Sequence, residues 1–522
     1  MAVSERLFTD STGQQIKASL NDIATALRSL TSDIDKIDWD SYWKSQRTGK
    51  VYGILINGDT VTKLGDNAGL AVPTPSTDSV QGNDPYNGIP LFTPIEVNAH
   101  VTGEDDAQGA GYHVIDSVRG MTDFSRKTAD TYMMFMPWYI KQDVTGIWIT
   151  DTPTDGFEPY KAAVNPDGSV APFMLFAKYP MSLVDNVPMS VSGQHPWAFT
   201  ISHNTQITQL QTYKGNQYCG MTGMDLLFIQ LYFLMKYATL DSQSVMAGCT
   251  SYNYQYKCAV AESGVKRVLL TQANAANMVV GSTVMVGEQS SNTNNDRGQS
   301  YNYNITQHAK ILSKETVNVG GTDYTALNLD LDSTITTTTT TLVSTIHWMT
   351  GSTDNVLGLD GSPVDNTSGK YPCRIGGIEL FVGGYEVLGN VVMDITNTSG
   401  IERNVYVCDD CLDLSTTLDL TKYELSASKI PGGTGNWRYI KTVAYDLDNG
   451  ISVPTDLSGT SSTYYKDGVY TDTVTSGQKE WRAFGCLFVG AAAGLWFLAA
   501  AHPLTYAGWA VLGRLSANGR RG

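Results

Sequence analysis

Few residue groupings in this sequence could perform chemistry. Cys408 and Cys411 have the Cys-x-x-Cys spacing of a redox site or half of a zinc site. Zinc needs four ligands, and no second pair with suitable spacing follows. The two aspartates between the cysteines would raise the thiol pKa, whereas redox chemistry needs it lowered. Residues 446–450 offer oxygens to calcium but lack the remaining ligands of a recognisable loop. We therefore expect structural cysteines, a plain turn, no metal site and no cofactor.

Catalytic signatures are also missing from the sequence. It contains no Gly-rich phosphate loop, no His-Glu-x-x-His and no Gly-x-Ser-x-Gly. The seven histidines are dispersed, and none forms a metal-ligand pair. These observations predict a binding protein and no enzyme. A glycan depolymerase carried on a phage tail is the enzymatic alternative, because 51 acidic residues could include a pair of carboxylates in a cleft.

Composition limits the class of protein further. A chain of 522 residues is longer than one hydrophobic core usually supports, which predicts two to four domains. Only 16% of residues are charged, and the 50 glycines and 28 tyrosines indicate many strands and turns. The net charge is −16 and the basic residues are scattered, apart from a tail with Arg514, Arg520 and Arg521. This distribution argues against a nucleic-acid partner. Residues 1–6 begin no apolar run, so we expect no signal peptide.

The clearest periodicity lies near the N-terminus. Apolar residues recur there at alternating steps of four and three, which is a heptad pattern of about three repeats. Leucine at position a with isoleucine at position d favours a coiled coil of three or four helices over one of two helices. We interpret residues 1–65 as a helical segment for oligomerisation or anchoring. An amphipathic helix packed on its own domain is the alternative. The seam comprises Ile16, Leu20, Ile23, Leu27, Leu30, Ile34 and Ile37.

The rest of the chain divides by composition. Residues 66–90 are rich in Pro, Ser, Asp and Gly, which is typical of a linker. Residues 91–265 and 351–522 are interpreted as two parts of one domain, and residues 266–350 as a small all-β insertion between them. Residues 224–237 are apolar on nearly every side, which predicts a helix buried in a core.

The segment from Ala483 to Gly513 carries no charged residue. Hydropathy alone makes it a candidate membrane span, and a tail-anchored membrane protein is therefore one alternative. Five glycines and Pro503 would, however, break the run into short pieces. We therefore expect no membrane insertion, and we predict that the recognition surface lies within residues 481–522.

The chain end, from Trp509 to Gly522, resembles the C-termini of diversity-generating-retroelement variable proteins from phages of gut bacteria. The frame from Gly490 to Leu495 is similar to that of the family as well. Residues 383–389, 437–441, 470–472 and 480–482 match more weakly. The resemblance implies an α+β fold: a C-type-lectin-like (formylglycine-generating-enzyme-like) ligand-binding domain with the all-β insertion, preceded by the N-terminal helical coiled-coil segment.

The resemblance also implies which residues bind ligand. The family rewrites adenines of AAC-type codons and leaves NNC codons, and NNC can encode every residue type at the matching positions. Phe488, Phe497, His502 and Tyr506 would form the binding hot spot, while Leu495, Trp496, Trp509 and Leu512 would hold the scaffold. The twelve variable positions are Cys486, Phe488, Val489, Ala492, Phe497, Ala499, Ala501, His502, Thr505, Tyr506, Gly508 and Ala510.

Partners follow from the same resemblance. A protein of this kind would be displayed on a virion as a tail-fibre or receptor-binding component, attached to phage structural proteins through its N-terminus. It would bind a receptor on the host cell, and trimerisation would strengthen weak single-site binding through avidity. The twelve positions are unusually apolar, which favours a protein or lipidic receptor over a sugar.

Overall fold

The protein is mostly β. The computed structural model describes residues 37–398, 400–432, 437–471 and 476–519. Strands account for 37% of residues and helices for 12%. The predicted α+β class is therefore wrong. Nearly all of the predicted coiled-coil seam lies within residues 1–36, outside the described residues, and the structure does not test it.

The N-terminal part combines one short helix with two antiparallel sheets. A five-stranded sheet has the order β2-β1-β7-β6-β8, and a four-stranded sheet has the order β4-β3-β5-β9. Asn57 pairs with Thr60, so β1 and β2 are joined by a two-residue turn in which Gly58 has a φ of +65°. The elements are α1 (Trp39–Ser45), β1 (Val51–Asn57), β2 (Thr60–Gly65), β3 (Ile95–Val101), β4 (His113–Val118), β5 (Thr131–Phe135), β6 (Tyr139–Asp143), β7 (Gly146–Thr150), β8 (Glu158–Pro159), β9 (Met174–Ala177), β10 (Ser182–Val184) and β11 (Val187–Met189).

This hairpin corrects part of the predicted helical segment. Residues 51–65, assigned from sequence to that segment, form β1 and β2 instead, and β1 pairs with β7. The reason is local: Val51–Asn57 is rich in β-branched and aromatic residues, and it ends at an Asn-Gly turn. No continuous helix therefore joins the heptad region to the rest of the chain.

A buried helix forms the centre of the core. This helix is α3 (Gly223–Tyr237), and it follows α2 (His203–Tyr213) and β12 (Cys219–Gly220). Thr222 and Asp225 form a capping box at its start, and Ala238 ends it in the left-handed conformation with a φ of 48°. Every side chain of α3 is buried, and Phe228 stacks on Phe176 of β9 at 4.0 Å. The prediction of a buried helix over residues 224–237 is confirmed.

The next part of the chain is a β unit with its own core. Six strands form a sheet in the order β13-β20-β16-β17-β18-β15, and β14 pairs with β19. Val268, Val284 and Val343 belong to a hydrophobic cluster that is separate from the main core. The elements are β13 (Gln255–Lys257), β14 (Glu262–Val265), β15 (Arg267–Thr271), α4 (Gln272–Asn277), β16 (Thr283–Glu288), β17 (Thr306–Val319), β18 (Thr322–Leu329), β19 (Ile335–Thr337) and β20 (Thr341–Thr345).

The C-terminal part builds a mixed sheet around the longest of its strands. The order is β25-β24-β23-β30-β31-β29-β26, and β32 pairs with β23 in parallel. The chain then returns to the core, where β33 pairs with β12. The elements are β21 (Cys373–Ile375), β22 (Ile378–Leu380), β23 (Tyr385–Thr396), β24 (Glu402–Val407), β25 (Glu424–Lys429), β26 (Arg438–Tyr439), β27 (Thr442–Asp446), β28 (Ile451–Asp456), β29 (Gly468–Thr471), β30 (Gly477–Ala483), β31 (Leu498–Ala500), β32 (Val511–Leu512) and β33 (Leu515–Ser516).

The uncharged stretch from Ala483 to Gly513 is folded as short pieces. It contains a 3-10 turn at Gly490–Ala492, then β31, a loop and β32. Within the described residues, no helix has the length and apolar character needed to cross a membrane. The glycines predicted to break the run do so: Gly485, Gly490 and Gly494 all have positive φ angles.

Candidate ligand-binding cavity

A cavity of about 500 Å³ opens where the C-terminal sheet meets the β unit. This size falls within the range of small-ligand sites, roughly 300–1,000 Å³. Its lining combines six aromatic side chains, two arginines, a polar lip and small residues. The lining residues are Asn295, Asp296, Arg297, Tyr385, Trp437, Tyr470, Arg482, Phe488, Ala499, His502, Tyr506, Trp509 and Ala510.

Strand pairing brings the floor of the cavity together. In β31, Ala499 pairs with Tyr470 of β29 on one side and with Arg482 of β30 on the other. Directly paired residues point to the same face of a sheet, so these three side chains lie side by side. Alanine is the smallest of the three, so it leaves space between the ring of Tyr470 and the guanidinium of Arg482.

The aromatic wall is continuous. Tyr385 stacks on Phe497 with ring centres 5.7 Å apart, and Trp437 contacts Phe497 at 5.5 Å and Tyr470 at 5.2 Å. On the other side, Phe488 contacts Tyr385 at 6.2 Å. Phe488 is 44% exposed and Trp437 is 42% exposed. Large exposed rings of this kind commonly mark binding surfaces, since aromatic anchors carry much interface energy.

The glycine at position 468 leaves room for the side chain of Trp437. This tryptophan precedes β26, and β26 pairs with β29 so that Tyr439 lies opposite Gly468. A Cβ atom at Gly468 would lie 3.0 Å from the Trp437 ring and 3.1 Å from the methyl group of Ala492. Glycine at this position therefore allows the indole to pack closely over the strand.

Arg482 carries a positive charge into the cavity. Its side chain is 5% exposed, and its guanidinium lies over the rings of Tyr385 at 4.8 Å and Tyr506 at 5.4 Å. Its Nε lies 3.1 Å from a carboxylate oxygen of Glu480, but the buried Nε–H does not point at that oxygen and makes no hydrogen bond. Burial raises the pKa of Glu480 to about 8, against the opposing effect of Arg482. Burial therefore favours the neutral form of Glu480, which weakens its pairing with Arg482.

The β unit supplies the second arginine. Arg297 donates from Nε to the carbonyl of Thr345 at 2.6 Å and from Nη2 to the carbonyl of Tyr254 at 3.3 Å. Its guanidinium lies 4.9 Å from the ring centre of Trp509. Burial lowers the pKa of Arg297 to about 10, so the group is still charged at neutral pH. Backbone acceptors hold this charge at the cavity, and the carboxylate of the neighbouring Asp296 partly opposes the effect of burial on its pKa.

The structure separates the twelve predicted positions into three sets. Lining the cavity are Phe488, Ala499, His502, Tyr506 and Ala510, and the rings of His502 and Tyr506 stack at 3.9 Å. Cys486 and Phe497 are buried behind the wall, and Val489 packs against the same cluster. The remaining positions do not line the cavity: Thr505 is exposed, while Ala492, Ala501 and Gly508 are half-buried.

Cys486 and Phe488 lie two residues apart but differ in burial. Phe484 and Gly485 precede Cys486 with φ angles of 72° and 95°, so the chain leaves the extended conformation after β30. Cys486 is buried, whereas Phe488 is 44% exposed. Sequence spacing alone does not reveal this difference.

The predicted scaffold residues are largely internal. Leu495, Trp496 and Leu512 are buried, while Trp509 is half-buried and lines the cavity. Sequence reasoning did not assign a binding role to Arg297, Tyr385, Trp437, Tyr470 or Arg482. All but Arg297 lie in segments that match the resembled family, which was the available signal.

The Cys-x-x-Cys pair and the acidic turn are both part of the packed structure. Cys408 and Cys411 are buried and form no disulfide, and burial raises the pKa of Cys408 to about 12. Asp446 accepts hydrogen bonds from Asn449 and Ser426, as expected of a turn. Across the described ranges, no cluster of three or more His, Cys, Asp or Glu side chains could hold a metal ion.

Comparison with known proteins gives no relative. No protein-family model matches the chain, and no curated protein matches its sequence.

Proposed function

We propose that this chain is a hypervariable receptor-binding protein of a phage particle, of the diversity-generating-retroelement type, which binds a host-cell receptor through the cavity. The main observation in support of the proposal is that predicted binding positions lie together in one cavity. Five of the twelve positions chosen from sequence pattern line one cavity, together with exposed aromatic rings and two arginines. These residue types dominate binding hot spots.

The location of these positions suits diversification. Ala499 and Ala510 lie on the cavity wall, so a larger side chain at either would change the depth and shape of the cavity. The strands beneath are held by backbone hydrogen bonds, which do not depend on side-chain type. A rigid frame with replaceable cavity residues can therefore recognise different ligands in different clones.

Binding is favoured over hydrolysis by the lining itself. Of the described residues that line the cavity, Asp296 is the only acidic one. Glycoside hydrolysis commonly uses two carboxylates that flank the scissile bond. A lone carboxylate on the lip does not supply that pair, so we favour recognition without cleavage.

The N-terminal segment would supply the attachment. We propose that three chains associate and attach to phage structural proteins through their N-termini. Three cavities on one stem would bind a repeated surface receptor with avidity.

The direct test is to sequence the 3′ end of the gene across a population that carries it. We expect substitutions to cluster in the twelve variable codons, with the third base kept as C. The codons for Leu495, Trp496 and Leu512 serve as internal controls and should be invariant, because these side chains fill the core. An invariant segment, or substitutions spread equally over the twelve codons and the three control codons, would refute the proposal.

A further inference from the structure

The chemistry of the cavity differs from the chemistry of the diversified positions. The twelve predicted positions include no aspartate, glutamate, lysine or arginine, and by themselves they favour an apolar partner. The lining adds Arg297 and Arg482, with Asp296 on the lip, which leaves a net charge of +1. The ligand must therefore satisfy a positive charge as well as aromatic surfaces.

The arginine from β30 is the stronger indication. Its Nε is buried and makes no hydrogen bond, although a buried donor without a partner is costly. The guanidinium of Arg482 also lines the cavity, so an anionic ligand there would supply a hydrogen-bond acceptor and an opposite charge. A carboxylate oxygen of Glu480 lies 3.1 Å from Nε without accepting a hydrogen bond from it, and burial raises the pKa of this carboxyl, which favours its neutral form. The guanidinium of Arg482 is thus poised for an external anion.

The arginine from the β unit is held differently but faces the same space. Nε and Nη2 of Arg297 are committed to backbone carbonyls, and its guanidinium lies flat over Trp509. Trp509 contacts Phe488 at 5.8 Å, and Phe488 in turn contacts Tyr385, over which Arg482 lies. The two cations are therefore linked through one aromatic wall.

The shape and the walls restrict the rest of the ligand. A concave site of about 500 Å³ accepts a compact group in preference to a flat protein surface. Aromatic faces such as those of Trp437 and Tyr470 pack well against the C–H faces of sugar rings. A net charge of +1 matches a carboxylate better than a phosphate, which carries close to two negative charges at neutral pH.

We propose that the cavity binds a carboxylated sugar ring, of the uronic or sialic acid type, within an acidic glycan of the host surface. In this arrangement Arg482 donates to the carboxylate and the rings of the wall stack on the sugar. The inference rests on the proposed function, since it names the chemical class of the receptor group that enters the cavity.

The test is calorimetric titration of the full-length protein with four small probes. Methyl glucuronide carries the carboxylate on a ring, and methyl glucoside is the same ring without it. Glucose 6-phosphate tests a phosphate, and glutarate tests a carboxylate without a ring. We expect methyl glucuronide to bind at least tenfold more tightly than each of the others, in keeping with the strength of a charge-assisted hydrogen bond.

Two variants locate the binding. Arg482→Gln should weaken methyl glucuronide binding at least tenfold while leaving methyl glucoside binding within twofold. Arg119→Gln is the matched control, because Arg119 is 62% exposed and lies outside this cavity. If Arg482→Gln does not fold, the wild-type protein still decides the matter: added NaCl should weaken methyl glucuronide binding several-fold and leave methyl glucoside binding unchanged.

Four results would overturn the proposal. These are equal binding of glucuronide and glucoside, tighter binding of the phosphate, glutarate binding as tight as that of glucuronide, or no glucuronide binding up to about 50 mM. Tight glutarate binding would indicate an acidic protein side chain as the ligand. Population sequencing separates this failure from that of the proposed function. Clustered substitutions without acidic-sugar binding would refute only the ligand class, whereas an invariant segment would refute the receptor-binding proposal itself.

Discussion

Replacing Arg514 with methionine should destabilise the protein strongly, because this residue fastens the C-terminal strands to the core. Its guanidinium forms a two-pronged ion pair with Glu386, from Nε to Oε2 at 2.7 Å and from Nη2 to Oε1 at 2.8 Å. The remaining donors reach the carbonyls of Ala177 at 3.0 Å and Glu379 at 2.5 Å. The side chains of the ion pair are 2% and 1% exposed, so water cannot replace either partner.

The magnitude follows from the burial. Arg514→Met leaves the Glu386 carboxylate buried without its partner, which typically costs about 3–5 kcal/mol of unfolding free energy. Two backbone carbonyls lose their donors as well. The double variant Arg514→Met/Glu386→Leu removes both charges together. It should recover most of the loss, because a buried ion pair replaced by apolar side chains is often close to neutral in stability.

The assay is urea unfolding at neutral pH, followed by tryptophan fluorescence, for wild type, both single variants and the double variant. Lys441→Met is the control: Lys441 and Asp456 are 38% and 37% exposed and 3.5 Å apart, and their loss should change stability by less than about 1 kcal/mol. The reasoning is refuted if Arg514→Met also costs less than about 1 kcal/mol, or if the double variant is no more stable than the single one.

Three further predictions concern titration, glycine and the chain end. Burial lowers the pKa of His347 to about 3, so between pH 6.5 and 4.5 only the unfolded chain takes up a proton at this residue. Over this range the unfolding free energy of the wild type should fall by about 1.4 kcal/mol more per pH unit than that of His347→Gln. Urea unfolding at several pH values measures both slopes. Gly494→Ala should lower the melting temperature more than Gly490→Ala. A Cβ atom at Gly494 would lie 2.1 Å from a buried carboxylate oxygen, whereas a Cβ atom at Gly490 would have its nearest neighbour 3.9 Å away. Equal shifts in melting temperature would contradict this reasoning. Asn518→Ala should cost about 1–3 kcal/mol in urea unfolding because its amide donates to buried oxygens at 2.6 and 2.8 Å, while Asn165→Ala, which removes an exposed hydrogen bond, should cost little.

Local sequence signals identified some elements correctly. Residues 224–237 are apolar on nearly every side, interrupted by Asp225, Gln230 and Lys236, and helix α3 forms there. The glycines of the C-terminal stretch predicted short pieces, and the structure has them. These features depend on interactions within a few residues, so they can be recognised without knowing the fold.

The overall class could not be obtained in the same way. The predicted α+β class came from a resemblance concentrated in the last residues, whereas the structure has about three times as many residues in strands, 37%, as in helices, 12%. Many of these strands are only two to five residues long, as in β26 and β31. Such segments are too short for a period-two pattern to stand out, and they become strands because neighbours supply hydrogen-bond partners.

The sequence by itself determined a buried helix, a C-terminal stretch broken by glycine, and a set of positions near the chain end that could form a surface. Only the tertiary structure decided which of those positions share a cavity. Strand pairing placed Ala499 between Tyr470 and Arg482, the β unit added Arg297, and the packing buried Cys486 while leaving Phe488 exposed. The physical reason is that the direction of a side chain in a short strand depends on register, and register is fixed by partners far away in the sequence.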